Sequence, residues 1–345
     1  MAVAAVFTAL SAPAFAALPL GGLAIAVTQK GDKLVAAGDT RTLLVLDPKS
    51  LAVKERIWLG APVVNLSFDN TGGRLLVADT DDTAHLHDTN NWKKLVSIPS
   101  RHNLAVSIAG NFFAGADRSY SPTAIIFHSM TDGKELRRIA LPKNDRIAAM
   151  GFDPQGKRLA VLVGPIDTKE EPKLSHNQIP KELQGPARTE FQQKNDGQIS
   201  VLRIYDAASG KVLSELKTFF TMSSSTPLLI FDGVNIVMNN YSNTGALISP
   251  NGEVKLFRTN SGNYALRATA DQKLILSGGL RDFAITNTGS LAGVKGEIDK
   301  LPGWPEYFKW FAAPAGNQVI YGTTSAYRIF RISSEGKIET VEPVR

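Results

Sequence analysis

Apolar and polar positions follow a pattern along this chain that recurs seven times. Each copy has an apolar run, a turn rich in Gly, Asp or Asn, a second apolar run, an alternating run, a polar turn and a last alternating run. Continuous apolar runs predict strands covered on both faces, and alternation predicts strands with one face in water. "RLLVADT" and "TAHLHDT", which lie close together in one copy, illustrate the two kinds. Each copy therefore predicts four strands, with burial falling from the first to the last.

The turn between the first and second predicted strands gives the register of the repeat. Most neighbouring turns are about 40 residues apart, the length of one four-stranded propeller blade. The turn residues are Gly31, Gly72, Gly110, Gly156, Gly233, Asp271 and Gly316. Repeats of this period are typical of a β-propeller. We therefore predict an all-β, seven-bladed β-propeller of four-stranded antiparallel blades, which occupies residues 17–345 as a single domain.

One gap in the repeat, between Gly156 and Gly233, is nearly twice the usual length. It contains residues 165–197, with four prolines, many charges and few apolar residues, which cannot supply four strands. We predict an inserted loop in blade four. The loop follows the second strand, so it leaves the face that also carries the blade-to-blade connections, here called the top face. A solvated loop without function and an arm that grips a partner both remain open.

A motif at the end of the third strand adds a family resemblance. It is clearest in "LRIYDAASGKVL" at residues 202–213. In this respect the chain resembles WD40 and YVTN-type propellers, the class that includes quinoprotein amine dehydrogenase-like domains. The Gly-His and Trp-Asp dipeptides of the eukaryotic WD40 family are absent, so its buried hydrogen-bond tetrad is not expected and the YVTN-type class fits better. The resemblance implies a binding scaffold or, alternatively, a lactonase-like or amine-dehydrogenase-like enzyme or enzyme subunit with a site at the channel mouth.

The first 16 residues resemble a secretory signal, although they lack the usual basic start. They combine an apolar stretch with Ala14-Phe15-Ala16 as a small-x-small cleavage site. Cleavage after Ala16 is favoured over a membrane anchor, because Pro13, Pro19 and Gly21-Gly22 interrupt the apolar run. We expect a periplasmic or secreted protein with no transmembrane helix in the mature chain. The chain has no cysteine, which excludes disulfides and thiol chemistry.

The net charge of +6 comes from scattered lysines and arginines. Nucleic-acid binding usually needs a clustered basic patch, so we expect no nucleic-acid partner and only a mild attraction to acidic partners.

Catalytic patterns are missing from the sequence. The G-x-S-x-G, P-loop and His-Glu-x-x-His motifs are absent, and we predict no catalytic residue. His85 and His87 point to one side of a predicted strand, but without a third ligand they are interpreted as surface imidazoles. No cofactor is predicted. Asp79 and Asp81 are weak candidates for a divalent ion such as calcium at the channel mouth, where lactonase propellers hold one.

The predicted function is that of a protein-binding scaffold or accessory subunit of an envelope complex. The connection from blade six to blade seven, "LPGWPEYFKWF", concentrates aromatic residues, and tryptophan is the side chain most enriched at binding hot spots. This connection, the inserted loop and the turns between second and third strands all lie on the predicted top face. They supply the candidate partner-binding residues Trp304, Tyr307, Lys169, Glu171, Lys181, Arg188, Tyr120, Tyr241 and Arg281.

Overall fold

Seven sheets of four strands each make up the protein in a computed structural model. The structure describes residues 22–99, 101–118, 121–143, 145–167, 180, 182–183, 188, 191, 195, 198–218, 228–239, 244–258, 265–303 and 305–343. In every sheet the strands are hydrogen-bonded in chain order and antiparallel. The seven-bladed, all-β propeller predicted from the repeat is confirmed. The predicted signal at residues 1–16 lies outside the described residues.

The strands of blades one to four are β1 (Leu23–Val27), β2 (Leu34–Gly38), β3 (Thr42–Leu46), β4 (Val53–Trp58), β5 (Val63–Phe68), β6 (Arg74–Asp79), β7 (Ala84–Asp88), β8 (Lys94–Ile98), β9 (His102–Ser107), β10 (Phe112–Ala116), β11 (Ala124–Ser129), β12 (Glu135–Ala140), β13 (Ile147–Phe152), β14 (Arg158–Asp167), β15 (Gln198–Asp206) and β16 (Val212–Thr218). The strands of blades five to seven are β17 (Leu229–Asp232), β18 (Asn235–Asn239), β19 (Thr244–Ile248), β20 (Val254–Arg258), β21 (Ala265–Ala268), β22 (Leu274–Gly278), β23 (Asp282–Asn287), β24 (Gly293–Glu297), β25 (Phe308–Ala312), β26 (Val319–Thr324), β27 (Arg328–Ser333) and β28 (Ile338–Pro343).

The turn between the first and second strands lies where the sequence predicts it in all seven blades. In five blades a glycine of this turn has a positive φ, a conformation that costs glycine no steric strain. In the other two blades the residue with a positive φ is Asn111 or Gln272. The burial gradient is also confirmed: the second strand β2 is wholly buried, whereas most of the outermost strand β4 is exposed.

Apolar side chains fill each of the seven interfaces between neighbouring blades. One cluster of buried residues lies at each interface, so the core is a ring of layers rather than one central mass. Between blades six and seven, the ring of Phe308 lies 5.6 Å from that of Phe283 and 5.9 Å from that of Phe330. Burial of each such side chain contributes about 1.5–3 kcal/mol. Sheet packing therefore supplies the stability of the ring.

Within residues 22–343, as far as the structure describes them, blades seven and one close the ring without exchanging a strand. Every described strand pairs within its own blade, so blades one and seven each have four strands of their own. Three side chains of blade seven bridge the junction, and one of them is Tyr327, whose hydroxyl donates to Asp39 Oδ2 at 2.5 Å. Thr323 Oγ1 donates to the Leu23 carbonyl at 2.5 Å, and the Tyr321 hydroxyl donates to the Pro48 carbonyl at 2.9 Å. Closure therefore relies on side-chain hydrogen bonds and on the same apolar packing as the other interfaces.

Hydrogen bonds between blades also tie the lower face, which carries the turns between first and second strands. Lys33 Nζ of blade one donates to the Gly72 carbonyl of blade two at 3.0 Å. In blade six, Gln272 Oε1 accepts the Phe231 amide at 2.6 Å and Nε2 donates to the Phe152 carbonyl at 2.5 Å. Blade six thus reaches across blade five to blade four. The lower face is largely engaged in holding the ring together.

The inserted segment leaves the propeller from the longest hairpin. Strands β14 and β15 have 10 and 9 residues and stay paired as far as Asp167 and Gln198. The first three residues of the predicted loop 165–197 are therefore strand. Three of the later residues, Arg188, Phe191 and Asn195, are helical. Within the described parts of the chain, no helix combines the length and apolar character needed to cross a bilayer.

Candidate binding face and central channel

Three of the predicted contact residues fall within the described part of the chain. These are Tyr307, Arg281 and Arg188, which is a half-buried residue in the helical part of the inserted segment. The other predicted contact residues lie outside the described residues: Trp304, Lys169, Glu171, Lys181, Tyr120 and Tyr241.

Tyr307 and Arg281 come together on the top face between blades six and seven. The Phe308 amide donates to the Gly279 carbonyl at 3.0 Å, which joins the start of β25 to the turn that carries Arg281. Tyr307 is half-buried. The Arg281 side chain is 43% exposed, and its Nη2 lies 3.5 Å from Glu297 Oε2. The segments that carry these two residues are therefore hydrogen-bonded neighbours on the top face, where the sequence predicts them.

A buried ion pair fixes the connection that leads into blade seven. The Glu306 side chain is only 2% exposed. Its Oε1 accepts a hydrogen bond from Arg328 Nε at 2.8 Å and another from Thr324 Oγ1, while Oε2 accepts Arg328 Nη2. A carboxylate with this many donors is held in one position. Glu306 lies within the aromatic connection, but its role was not predicted from the sequence.

A second buried ion pair fixes the connection between blades three and four. Asp145 lies in this connection with its side chain 6% exposed, and Arg203 Nη1 of β15 donates to its Oδ2. Arg203 Nε also donates to Glu215 Oε2 at 2.7 Å. Although burial lowers the pKa of Arg203, the hydrogen bonds to Glu215 and Asp145 raise it above its usual value. Arg203 therefore remains a cation and holds the connection against its blade.

Exposed apolar side chains are distributed unequally over the surface. Besides Trp58, which ends β4 at the top face, seven of the large ones lie along the outermost strands of six blades, where isolated apolar residues are ordinary: Leu95, Leu136, Val212, Leu213, Val254, Val294 and Val341. On the top face, Trp58 is 69% exposed, Val64 48% and Leu280 53%. Trp58 and Val64 flank the connection from blade one to blade two. Val234 lies in a lower-face turn.

A groove of about 180 Å³ lies beside this connection. Its apolar wall includes Ile57, Trp58 and Leu59, and its polar wall, from blade two, includes Asp79 and His85. An indole on the rim of such a groove is a suitable contact for an apolar side chain of a partner.

Asp79 is saturated by hydrogen bonds from its own blade. Its Oδ1 accepts the backbone amides of Asp81 at 3.0 Å and Thr83 at 2.9 Å. Its Oδ2 lies 2.9 Å from His85 Nε2, and His85 Nδ1 lies 2.8 Å from Ser97 Oγ. This chain of contacts joins a top-face turn to the outermost strand. Among the described residues, no group of three or more His, Asp or Glu side chains is placed to hold a metal ion.

His85 and His87 are not surface imidazoles, and the prediction that they are is wrong. The His85 side chain is 17% exposed and His87 is 5% exposed. His87 Nδ1 lies 3.0 Å from the Trp92 carbonyl, to which it donates. Burial lowers the pKa of His87 and keeps the ring neutral. The polar side of β7 faces blade one rather than water.

The central channel contains a cavity of about 300 Å³, and the first strand of every blade contributes to its wall. Arg267 of β21 and Trp310 of β25 meet there, with the guanidinium carbon 3.3 Å from the centre of the indole. Arg267 Nη1 donates to the Leu266 carbonyl at 2.7 Å. The sequence did not single out Arg267, although a charge inside an apolar first strand was a visible signal.

No model of a known protein family matches this chain, and no curated protein matches it either. The fold is established by the seven sheets, and this scaffold hosts enzymes and binding modules alike.

Proposed function

We propose that this protein is a non-catalytic binding platform that holds a protein partner on its top face. The observation that supports this most strongly is the pair of exposed apolar side chains Trp58 and Val64, which flank the connection from blade one to blade two on the top face, beside a groove. Large exposed apolar side chains beside a groove are typical of protein-interaction sites.

Rigidity of the top face supports the same proposal. The connections into blades four and seven are each held by a buried carboxylate, Asp145 or Glu306, paired with an arginine. A surface whose backbone is already fixed loses little conformational entropy when a partner binds. A platform of this kind binds partners without reorganising.

The net charge of the chain and the groove beside Trp58 indicate the chemistry of the partner. The chain carries a net charge of +6, which favours approach of an acidic partner. The groove beside Trp58 suits an apolar side chain. We infer an acidic protein that inserts at least one apolar anchor between blades one and two and contacts the inserted segment at residues 168–197. The YVTN-type subclass and the periplasmic or secreted location belong to the same proposal, and they are supported by the third-strand motif and by the apolar start of the chain.

Site-specific photo-crosslinking in the native host tests the docking face. A photoreactive phenylalanine at position 58 should give one dominant protein adduct, and the same probe at position 95 should give none. Leu95 is a matched control because it is also a large apolar side chain on an outermost strand, 49% exposed, but it lies at the lower end of β8 and not at the top face. Adducts of equal yield at both positions would contradict a specific top-face site.

Removal of the inserted segment tests the arm. Residues 168–197 would be replaced by a short glycine-serine turn, and binding of the partner identified by crosslinking would be measured by calorimetry. We expect at least tenfold weaker binding with an unchanged unfolding temperature. Binding that survives both this deletion and Trp58→Ala would refute the platform. Stoichiometric calcium in the purified protein, lost on Asp79→Ala, would instead favour the propeller-enzyme alternative.

A further inference from the structure

The central channel contains a guanidinium group held in a specific orientation. Arg267 is half-buried in the channel wall, and Trp310 covers one face of its guanidinium at 3.3 Å. The stack fixes the plane of the group, and Nη1 is anchored to the Leu266 carbonyl at 2.7 Å. Since a guanidinium has five N–H donors in one plane, donors on its edge remain available to the channel.

No ion pair within the described structure neutralises Arg267. Burial lowers its pKa to about 9, with no opposing charge to raise it. Two carboxylates line the same channel, but both are used by their own turns. Asp69 accepts the Arg74 amide and the Thr71 hydroxyl, and Asp153 pairs with Arg158 at 3.0 Å. A desolvated cation without a counter-ion costs free energy, which an anionic ligand would recover.

The rest of the wall indicates what kind of anion fits. Polar and apolar groups contribute about equally to the wall of the channel. The apolar part includes the half-buried residues Leu104, Val106 and Met150, and the polar part includes several uncharged side chains. Asn65 is one of these, on blade two, which lies across the ring from blade six. The volume of about 300 Å³ is at the lower end for small-molecule sites.

We propose that the central channel binds a small organic carboxylate, with the carboxylate on the edge of Arg267 and an apolar body against the channel wall. The fork of N–H donors matches a carboxylate in a bidentate arrangement. The apolar part of the wall favours an organic anion over inorganic phosphate, because phosphate would gain no contacts there to offset its lost hydration. This site is separate from the top-face docking surface around Trp58.

Titration calorimetry on the whole protein tests the site with four probes: acetate, hexanoate, benzoate and inorganic phosphate. Sodium chloride keeps the ionic strength constant. We expect one hexanoate or benzoate to bind per chain, and acetate to bind more weakly because it lacks the apolar body. In Arg267→Met, binding should weaken by about ten- to a hundredfold, the loss expected for a charge-assisted hydrogen-bonded pair.

Two further variants make the test specific. Lys295→Met removes one positive charge from the exposed outermost strand of the same blade, and it should bind as the wild type does. Arg267→Lys keeps a cation but loses the planar fork, so it should bind with intermediate affinity. Circular dichroism checks that each variant is folded. The proposal is overturned if none of the organic carboxylates saturates, if phosphate binds more tightly than they do, or if Arg267→Met binds as the wild type does.

Discussion

The substitution Glu306→Ala tests whether a buried ion pair holds the connection from blade six to blade seven. Removal of the carboxylate leaves Arg328 and Thr324 without their acceptor in a place where little water reaches, since the two charged side chains are 2% and 15% exposed. Breaking a buried pair from one side costs about 3–5 kcal/mol, because the remaining charge stays buried. With an unfolding entropy of about 2.1 cal/mol/K per residue, this corresponds to a fall in melting temperature of about 5 °C for this chain.

An exposed ion pair of the same geometry provides the control. Arg138 donates two hydrogen bonds of 2.8 Å to Glu135, but the two side chains are 59% and 39% exposed. Glu135→Ala should therefore change the free energy of unfolding by less than about 1 kcal/mol. Both variants would be compared by denaturant unfolding.

Amide hydrogen exchange adds a local readout of the same perturbation. The Ser325 amide donates to the Tyr307 carbonyl at 2.9 Å, next to the ion pair. In Glu306→Ala this amide should exchange faster than it does in the wild type. If Glu306→Ala lowers the free energy of unfolding no more than Glu135→Ala does, and the Ser325 amide exchanges as in the wild type, the Glu306–Arg328 ion pair does not hold the connection between blades six and seven.

Three more predictions concern single side chains. Arg267→Met should change the free energy of unfolding by less than about 2 kcal/mol, because the lost stack on Trp310 is offset by removal of a cation whose pKa burial lowers to about 9; a larger loss of stability would contradict this. His128 donates to the Gly133 carbonyl and accepts from Arg101, and burial lowers its pKa; the unfolded chain therefore takes up a proton first, and stability should fall as pH drops below about 6.5. By NMR, the imidazole of His128 should have a pKa below that of an exposed histidine. A measured pKa at or above 6.5 would refute the conclusion that burial keeps this ring neutral. Gly151→Ala should cost more than about 3 kcal/mol in denaturant unfolding, because its Cβ would lie 1.8 Å from the Leu229 carbonyl oxygen; a loss under about 1 kcal/mol would contradict the close approach of blades four and five.

Local patterns made the ring predictable from the sequence. Strand periodicity and turn residues act within a few positions of each other, so seven copies each define a blade without knowledge of the others. The same patterns placed Tyr307 and Arg281 on a common face, because strand order decides at which end a turn emerges. Strand β14 runs into the predicted loop 165–167, since the pattern there gave no sign that the hairpin continues.

Contacts between distant residues were not predictable in the same way. Asp145 and Arg203 are far apart in the chain and meet only after blade four has folded. The error for His87 has a related cause, because alternation shows that a strand has a polar side but not whether that side faces water or another blade. Arg267 could have been noticed as a charge within an apolar first strand, but its stack on Trp310 depends on the closed ring.

Because the described blades close the ring without an exchanged strand, the chain should tolerate circular permutation. β1 begins and β28 ends on the same side of adjacent sheets, and the junction between them has no pairing that depends on chain direction. A circularly permuted gene that joins residue 343 to residue 22 with a short spacer, and opens the chain between blades two and three, should yield the same propeller. The protein has no obligatory first blade.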